Sequence, residues 1–114
     1  MPSLEHEKFV ELFVRDPRLA VRLLQSTGRV ELPAYEALEV ASTDTRELIP
    51  AAKRADAVVL LRPREGEPAF ALVVEVQLNR DGEKRLAWPF YVSALRARYG
   101  CPACLLVFAI DEAV

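Results

Sequence analysis

Residues 54–77 read Arg54-Ala-Asp56-Ala-Val-Val-Leu-Leu61-Arg62-Pro-Arg-Glu65-Gly66-Glu-Pro68-Ala-Phe-Ala-Leu-Val-Val-Glu75-Val76-Gln77. Two apolar runs flank a Pro- and Gly-bearing segment with turn chemistry, a pattern that predicts an antiparallel hairpin. With the turn centred between Glu65 and Gly66, paired positions sum to 131, and Asp56 falls opposite Glu75. Opposed residues point to one face, as do Glu75 and Gln77 by the period of two. Asp56, Glu75 and Gln77 are therefore expected as one polar cluster, in a register where a slip of a single residue would send Asp56 to the other face. An ionised carboxylate inside a sheet costs several kcal/mol unless a cation, a metal or several donors meet it. Two of them on adjacent strands point to a site. The plainer reading is that Asp56 pairs with Arg54 or a helix arginine and Glu75 ends a strand.

Both apolar runs are continuous apart from their acids, which implies a sheet covered on both faces. Upstream, Phe9, Leu12 and Phe13 fall at helical spacing in residues 4–14, with Ser3 as N-cap. Asp16-Pro17 reads as a cap and first helical residue, opening a second helix with Leu19, Ala20, Leu23 and Leu24 on one face and Gly28 as its stop. Tyr35 to Ser42 reads as a first strand, followed by a polar connection from Thr43 to Lys53. The hairpin strands run from about Arg54 to Leu61 and from about Ala69 to Leu78. Downstream, Asp81 caps a helix reaching Tyr99, kinked at Pro89 and stopped by Gly100, and Ala103 to Ile110 forms a last buried strand. A helix between the third and fourth strands permits a parallel crossover, so the sheet is expected to be mixed.

At 114 residues the chain fits one domain able to bury a core without staples. Hydrophobic residues make up 52% and charged residues 28%, the balance of a soluble globular protein. No apolar run approaches the roughly 20 residues that span a bilayer. Glu5, His6, Glu7 and Lys8 stand where a signal peptide would place its apolar core, so the expected compartment is the cytoplasm.

The net charge of −2, with a pI near 5.5, argues against indiscriminate nucleic-acid binding. The charge is unevenly spread, however. Glu31, Glu36, Glu39, Asp44 and Glu47 face only Arg46 between positions 31 and 50, while Arg80, Lys84, Arg85, Arg96 and Arg98 outnumber Asp81 and Glu83 further on. Lys53, Arg54, Arg62 and Arg64 add a second basic cluster near Asp56 in sequence. Such clusters suit an anionic ligand such as a phosphodiester, or form solvated surface. Cys101-Pro-Ala-Cys104 lacks both the helix N-terminus of a redox site and further zinc ligands, His6 being the only histidine. Two free thiols are expected, with Cys104 as a small buried apolar residue.

Asp56, then Glu75-Val76-Gln77 one hairpin later, then a basic helix and a strand, resemble the PD-(D/E)XK nuclease superfamily. The likeness is to the branch of Rpn-like and transposase-associated proteins, whose motif ends in Glu-x-Gln. Lys84-Arg85, Trp88-Pro89, Tyr91, Leu95-Arg96 and Cys101-Pro102 also resemble a set of bacterial proteins of that branch. The resemblance implies an α/β, restriction-endonuclease-like αβββαβ core, with a four-stranded mixed sheet flanked by helices and an extra N-terminal helix.

It further implies that Asp56 and Glu75, with the Val76 carbonyl, hold Mg²⁺ or Mn²⁺ for hydrolysis of DNA phosphodiesters. Gln77 stands where a lysine usually orients the attacking water, and Lys84, with Arg85 second, is the candidate for a migrated cation. Glu5, Glu7 or Glu11 are candidates for an extra acid on the first helix. Arg54, Arg80, Arg85 and Arg96 are candidate contacts to nucleic acid, and a homodimer is compatible with the family. A degenerate relative that binds nucleic acid or protein without catalysis is the alternative, and a thiol-based redox protein a distant third. Resembling proteins continue past the equivalent of Val114, so residues 1–114 are expected as one domain and as an N-terminal portion of a longer protein.

Overall fold

The computed structural model describes residues 4–41, 55–77 and 82–109, the side chains of 82–88 excepted. Seven elements follow one another in this span: α1 (Leu4–Arg15), α2 (Arg18–Ser26), β1 (Ala37–Val40), β2 (Ala57–Arg62), β3 (Phe70–Gln77), α3 (Gly82–Tyr99) and β4 (Ala103–Ala109). The strands form one sheet in the order β1-β2-β3-β4. The first three are antiparallel neighbours, and β4 runs parallel to β3 after the crossover through α3. The chain is thus an α/β fold with a mixed, open four-stranded sheet and three helices among the described residues.

The hairpin register follows from its turn. Ala57 pairs with Val74, Val59 with Leu72 and Leu61 with Phe70, so every pair sums to 131 as the turn at Glu65-Gly66 requires. Gly66 supplies a φ of 99°, a region costly to any residue with a side chain.

Alternation along β2 and β3 then divides the core in two. Ala57, Val59, Leu61, Phe70, Leu72, Val74 and Val76 meet Phe13, Ala20, Val21 and Leu24 of α1 and α2. Val58, Leu60, Ala71 and Val73 meet Tyr91 and Leu95 of α3. Coverage on both faces is why these strands are apolar at successive positions and not only at alternate ones.

The start of α2 differs from the sequence reading, whereas Gly28 and Gly100, both at positive φ, stand just past the helix ends they were expected to stop. Asp16 does not cap α2: the helix starts at Arg18 behind Pro17 with no side-chain cap, because the Asp16 carboxylate accepts from Arg18 Nε at 3.1 Å. α3 is continuous through Pro89, which lies on its exposed side. Gly100, at a φ of 63°, ends the helix by donating to the Arg96 carbonyl at 2.8 Å. Ser3, Asp81 and the connection from Thr43 to Lys53 lie outside the described residues.

Candidate functional site

The site grows from the open end of the β2–β3 hairpin. In the antiparallel ladder the backbone groups of Val74 and Val76 point toward β2, and the last regular pair is Ala57 with Val74. One step further, the Val76 N–H meets a side chain in place of backbone: Asp56 Oδ2 accepts it at 2.8 Å. Glu75 answers across the strands, its Oε1 accepting the Asp56 N–H at 3.2 Å. Each carboxylate therefore takes a main-chain donor from the opposite strand. The expected juxtaposition of Asp56 and Glu75 is present.

Both acids are secluded. Glu75 is 0% exposed, the one charged residue that is buried among the described residues, and the Asp56 side chain is 11% exposed. Backbone donors offset part of the desolvation cost, since hydrogen bonds to a charged group are worth about 1.5–3 kcal/mol each.

A third side chain arrives from α1. His6 Nε2 lies 3.0 Å from the Val76 carbonyl and 3.3 Å from Asp56 Oδ2. Both partners are acceptors, so this nitrogen carries the proton and its N–H is shared between them. His6 was not among the expected site residues. The signal for it was its place three and seven positions before Phe9 and Phe13, on the stripe α1 turns toward the sheet, where a polar residue needs a partner. The acids proposed from the same helix, Glu5, Glu7 and Glu11, are exposed. They line a shallow hollow on its outer side with Lys8, Leu12 and Arg15, and Glu11 accepts from Arg15 at 2.7 Å.

α3 adds Tyr91, fully buried on the face of the sheet that carries Glu75. Its hydroxyl has no hydrogen-bond partner among the described residues. Burial pushes the phenol's pKa up, and the charges of Glu75 and then Asp56 push it further, so Tyr91 stays neutral. Gln77, half-buried at the end of β3, likewise has a buried Nε2 with no partner among the described residues. An amide N–H and a phenol are suited to oxygen atoms of a ligand or water, not to a cation directly.

The remaining candidates divide. Arg62 is at the far end of β2 from Asp56, fixed to Glu39 of β1 by bonds of 2.7 and 3.4 Å. Arg62 and Arg64 therefore belong to the turn end of the hairpin, and the cluster read around Asp56 is split by the length of the strand. Arg96 is exposed on the second half of α3, which runs back toward the start of β3 and away from the acids. Arg54 and Arg80 lie outside the described residues, as do the side chains of Lys84, Arg85 and Trp88. Cys101 and Cys104 are free, and burial raises both thiol pKa values. Cys101 is the buried one and Cys104 is half-buried, the reverse of the emphasis expected.

The donor set at the acid end consists of two carboxylates and a carbonyl, with an imidazole nitrogen at its side. Hard divalent cations take oxygen ligands of this kind. The described residues contain no ready-made group of three or more acid, His or Cys ligands. In donor chemistry the residues suit Mg²⁺ or Mn²⁺, and the His6 N–H now bonds two of the same oxygens. No helix among the described residues is long and apolar enough to cross a membrane. Compared with protein-family models, curated proteins and solved structures, the chain matches none.

Proposed function

We propose that this domain is a metal-dependent, endonuclease-like phosphodiesterase acting on DNA, built on a restriction-endonuclease-like variant of the α/β fold. The observation that carries the reading is the pairing of Asp56 with Glu75 at the open end of the hairpin, beside the Val76 carbonyl. These three groups would hold Mg²⁺ or Mn²⁺. When bound, the cation lowers the pKa of an attacking water and stabilises charge on the phosphodiester oxygens.

The chain's own groups have separable tasks. The buried acids provide negative charge in a poorly solvated setting, where attraction for a cation is strong. The Gln77 amide donates a hydrogen bond to a water or phosphate oxygen and adds no charge. Lys84 supplies the missing positive charge from the start of α3, and Arg54, Arg80, Arg85 and Arg96 hold the nucleic-acid backbone. The His6 N–H stands between the Val76 carbonyl and Asp56, so it must yield at least one of these bonds for both oxygens to turn to a metal.

A second reading has its own observation. Both carboxylates already accept main-chain N–H groups, which is also what a locked sheet end requires of a catalytically silent, nucleic-acid- or protein-binding relative. Cleavage of plasmid DNA with Mg²⁺ or Mn²⁺ separates the two. The nuclease reading expects nicking by the native protein, abolished in Asp56→Ala and in Glu75→Ala. Nicking that survives both changes removes the site from the reaction. A native protein that binds DNA in a salt-dependent way without cutting, and ignores Mn²⁺, supports the second reading.

A further inference from the structure

The two edges of the sheet are unlike. β1 is four residues long, alternates exposed and half-buried positions, and carries Glu39 in its ion pair with Arg62. Short length and charge are the usual protections of a sheet edge. β4 has seven residues, Ala-Cys-Leu-Leu-Val-Phe-Ala, with no charge and no proline, and six of them are half-buried while Ala109 is exposed. By contrast, β3 beside it is buried from Phe70 to Val76.

The ladder shows which backbone groups of β4 are open. Ala71 donates to the Pro102 carbonyl at 2.9 Å and is paired with Ala103. In a parallel ladder that geometry sends the N–H and C=O of Cys104, Leu106 and Phe108 toward β3. The groups of Ala103, Leu105, Val107 and Ala109 point the other way, and among the described residues no strand stands on that side. No main-chain hydrogen bond to them is found among the described residues outside the sheet. At about 3.3 Å per residue the edge is roughly 23 Å long, a row of donors and acceptors with apolar side chains above and below.

We propose that this edge joins two copies of the chain by antiparallel β4–β4 pairing, giving one continuous sheet of four strands from each copy. A second copy fits the observations because the strand is complementary to itself. A two-fold axis at Leu106 makes paired positions sum to 212, so all seven residues overlap. The alanines at 103 and 109 meet, the small Cys104 lies against the large Phe108, and no like charges oppose. The outward groups of Leu105 then bond those of Val107 in the partner, as a closed, isologous pair requires. Apolar surface continues beyond the strand: Phe108 packs on Phe9 of α1 at 5.7 Å between ring centres, and Leu12 in the next turn is 52% exposed. The proposal is independent of whether the acid end binds metal.

The dyad makes Leu106 face its own copy at a position without hydrogen bonds, where Cα atoms are about 4.5 Å apart and a disulfide is sterically allowed. Leu106→Cys, in a Cys101→Ala, Cys104→Ala background, should cross-link nearly completely on mild oxidation. Ala103→Cys in the same background should not, because its partner is Ala109. Light scattering of the native protein should give twice the chain mass of 12.8 kDa. Val107→Pro, which removes only an outward N–H, should give a monomer with an unchanged circular-dichroism spectrum. A native monomer across micromolar concentrations, or a dimer that cross-links equally at 103 and 106, overturns the proposal.

Discussion

The two faces of the β2–β3 hairpin are built from alternate residues of the same strands, yet they do different work. Toward α1 and α2 the hairpin presents Val59, Leu61, Leu72, Val74 and Val76, closed over by Phe13, Val21 and Leu24, with His6 of α1 the polar side chain at the edge of this apolar cluster. Toward α3 the run of Val58, Leu60, Ala71 and Val73 continues into Asp56, Glu75 and Gln77, with the Tyr91 phenol beside them. One face has what stability needs. The other carries buried charge, and a Tyr91 hydroxyl and a Gln77 Nε2 without partners among the described residues, which stability alone would not select.

The contrast is broken most severely on the apolar side. Leu72→Ala opens a cavity at a fully buried position and should cost about 2–5 kcal/mol in urea unfolding. A loss well below that range would mean the α1–α2 face is loosely packed.

Asp56→Ala is the polar counterpart and should cost less, about 1–3 kcal/mol, because it leaves the buried Val76 N–H without its acceptor while also removing a buried charge. A cost equal to that of Leu72→Ala would assign the acid mainly to the fold.

The smallest effect is expected from Tyr91→Phe. The hydroxyl lost has no hydrogen-bond partner among the described residues, so near-neutral pH the melting temperature should be unchanged or slightly raised. The folded phenol has a raised pKa, so the unfolded chain loses this proton first, and the stability it contributes falls as pH rises above about 10. Stability measured from pH 8 to 11 should fall more steeply for the native protein than for Tyr91→Phe. Parallel curves would show that neither burial nor the two acids raise the phenol's pKa.

Much of this division was legible in the sequence. Pro63, Gly66 and Pro68 confine the turn, the turn fixes the register, and the register places Asp56 opposite Glu75. The order of helices and strands followed from periodicity and from Gly28 and Gly100. Long-range placement was not legible. His6 reaches Val76 across 70 positions, and its only trace in the sequence is a polar residue on an apolar helical stripe. Arg62 and Arg64 are close to Asp56 along the chain, but the intervening strand carries them to the other end of the sheet. Asp16 has the residue type of a cap and is engaged by Arg18, a local competition that spacing does not resolve.

The central claim, that the acid end of the hairpin is a divalent-cation site, is tested most directly by the melting temperature as a function of Mn²⁺. A ligand bound only by the folded state raises stability with concentration above its dissociation constant. The native protein should melt progressively higher as Mn²⁺ is increased, whereas Glu75→Gln, which keeps the shape and removes the charge, should respond at least tenfold more weakly in apparent affinity. Identical midpoints with and without Mn²⁺ in the native protein, or the same response in Glu75→Gln, would contradict it.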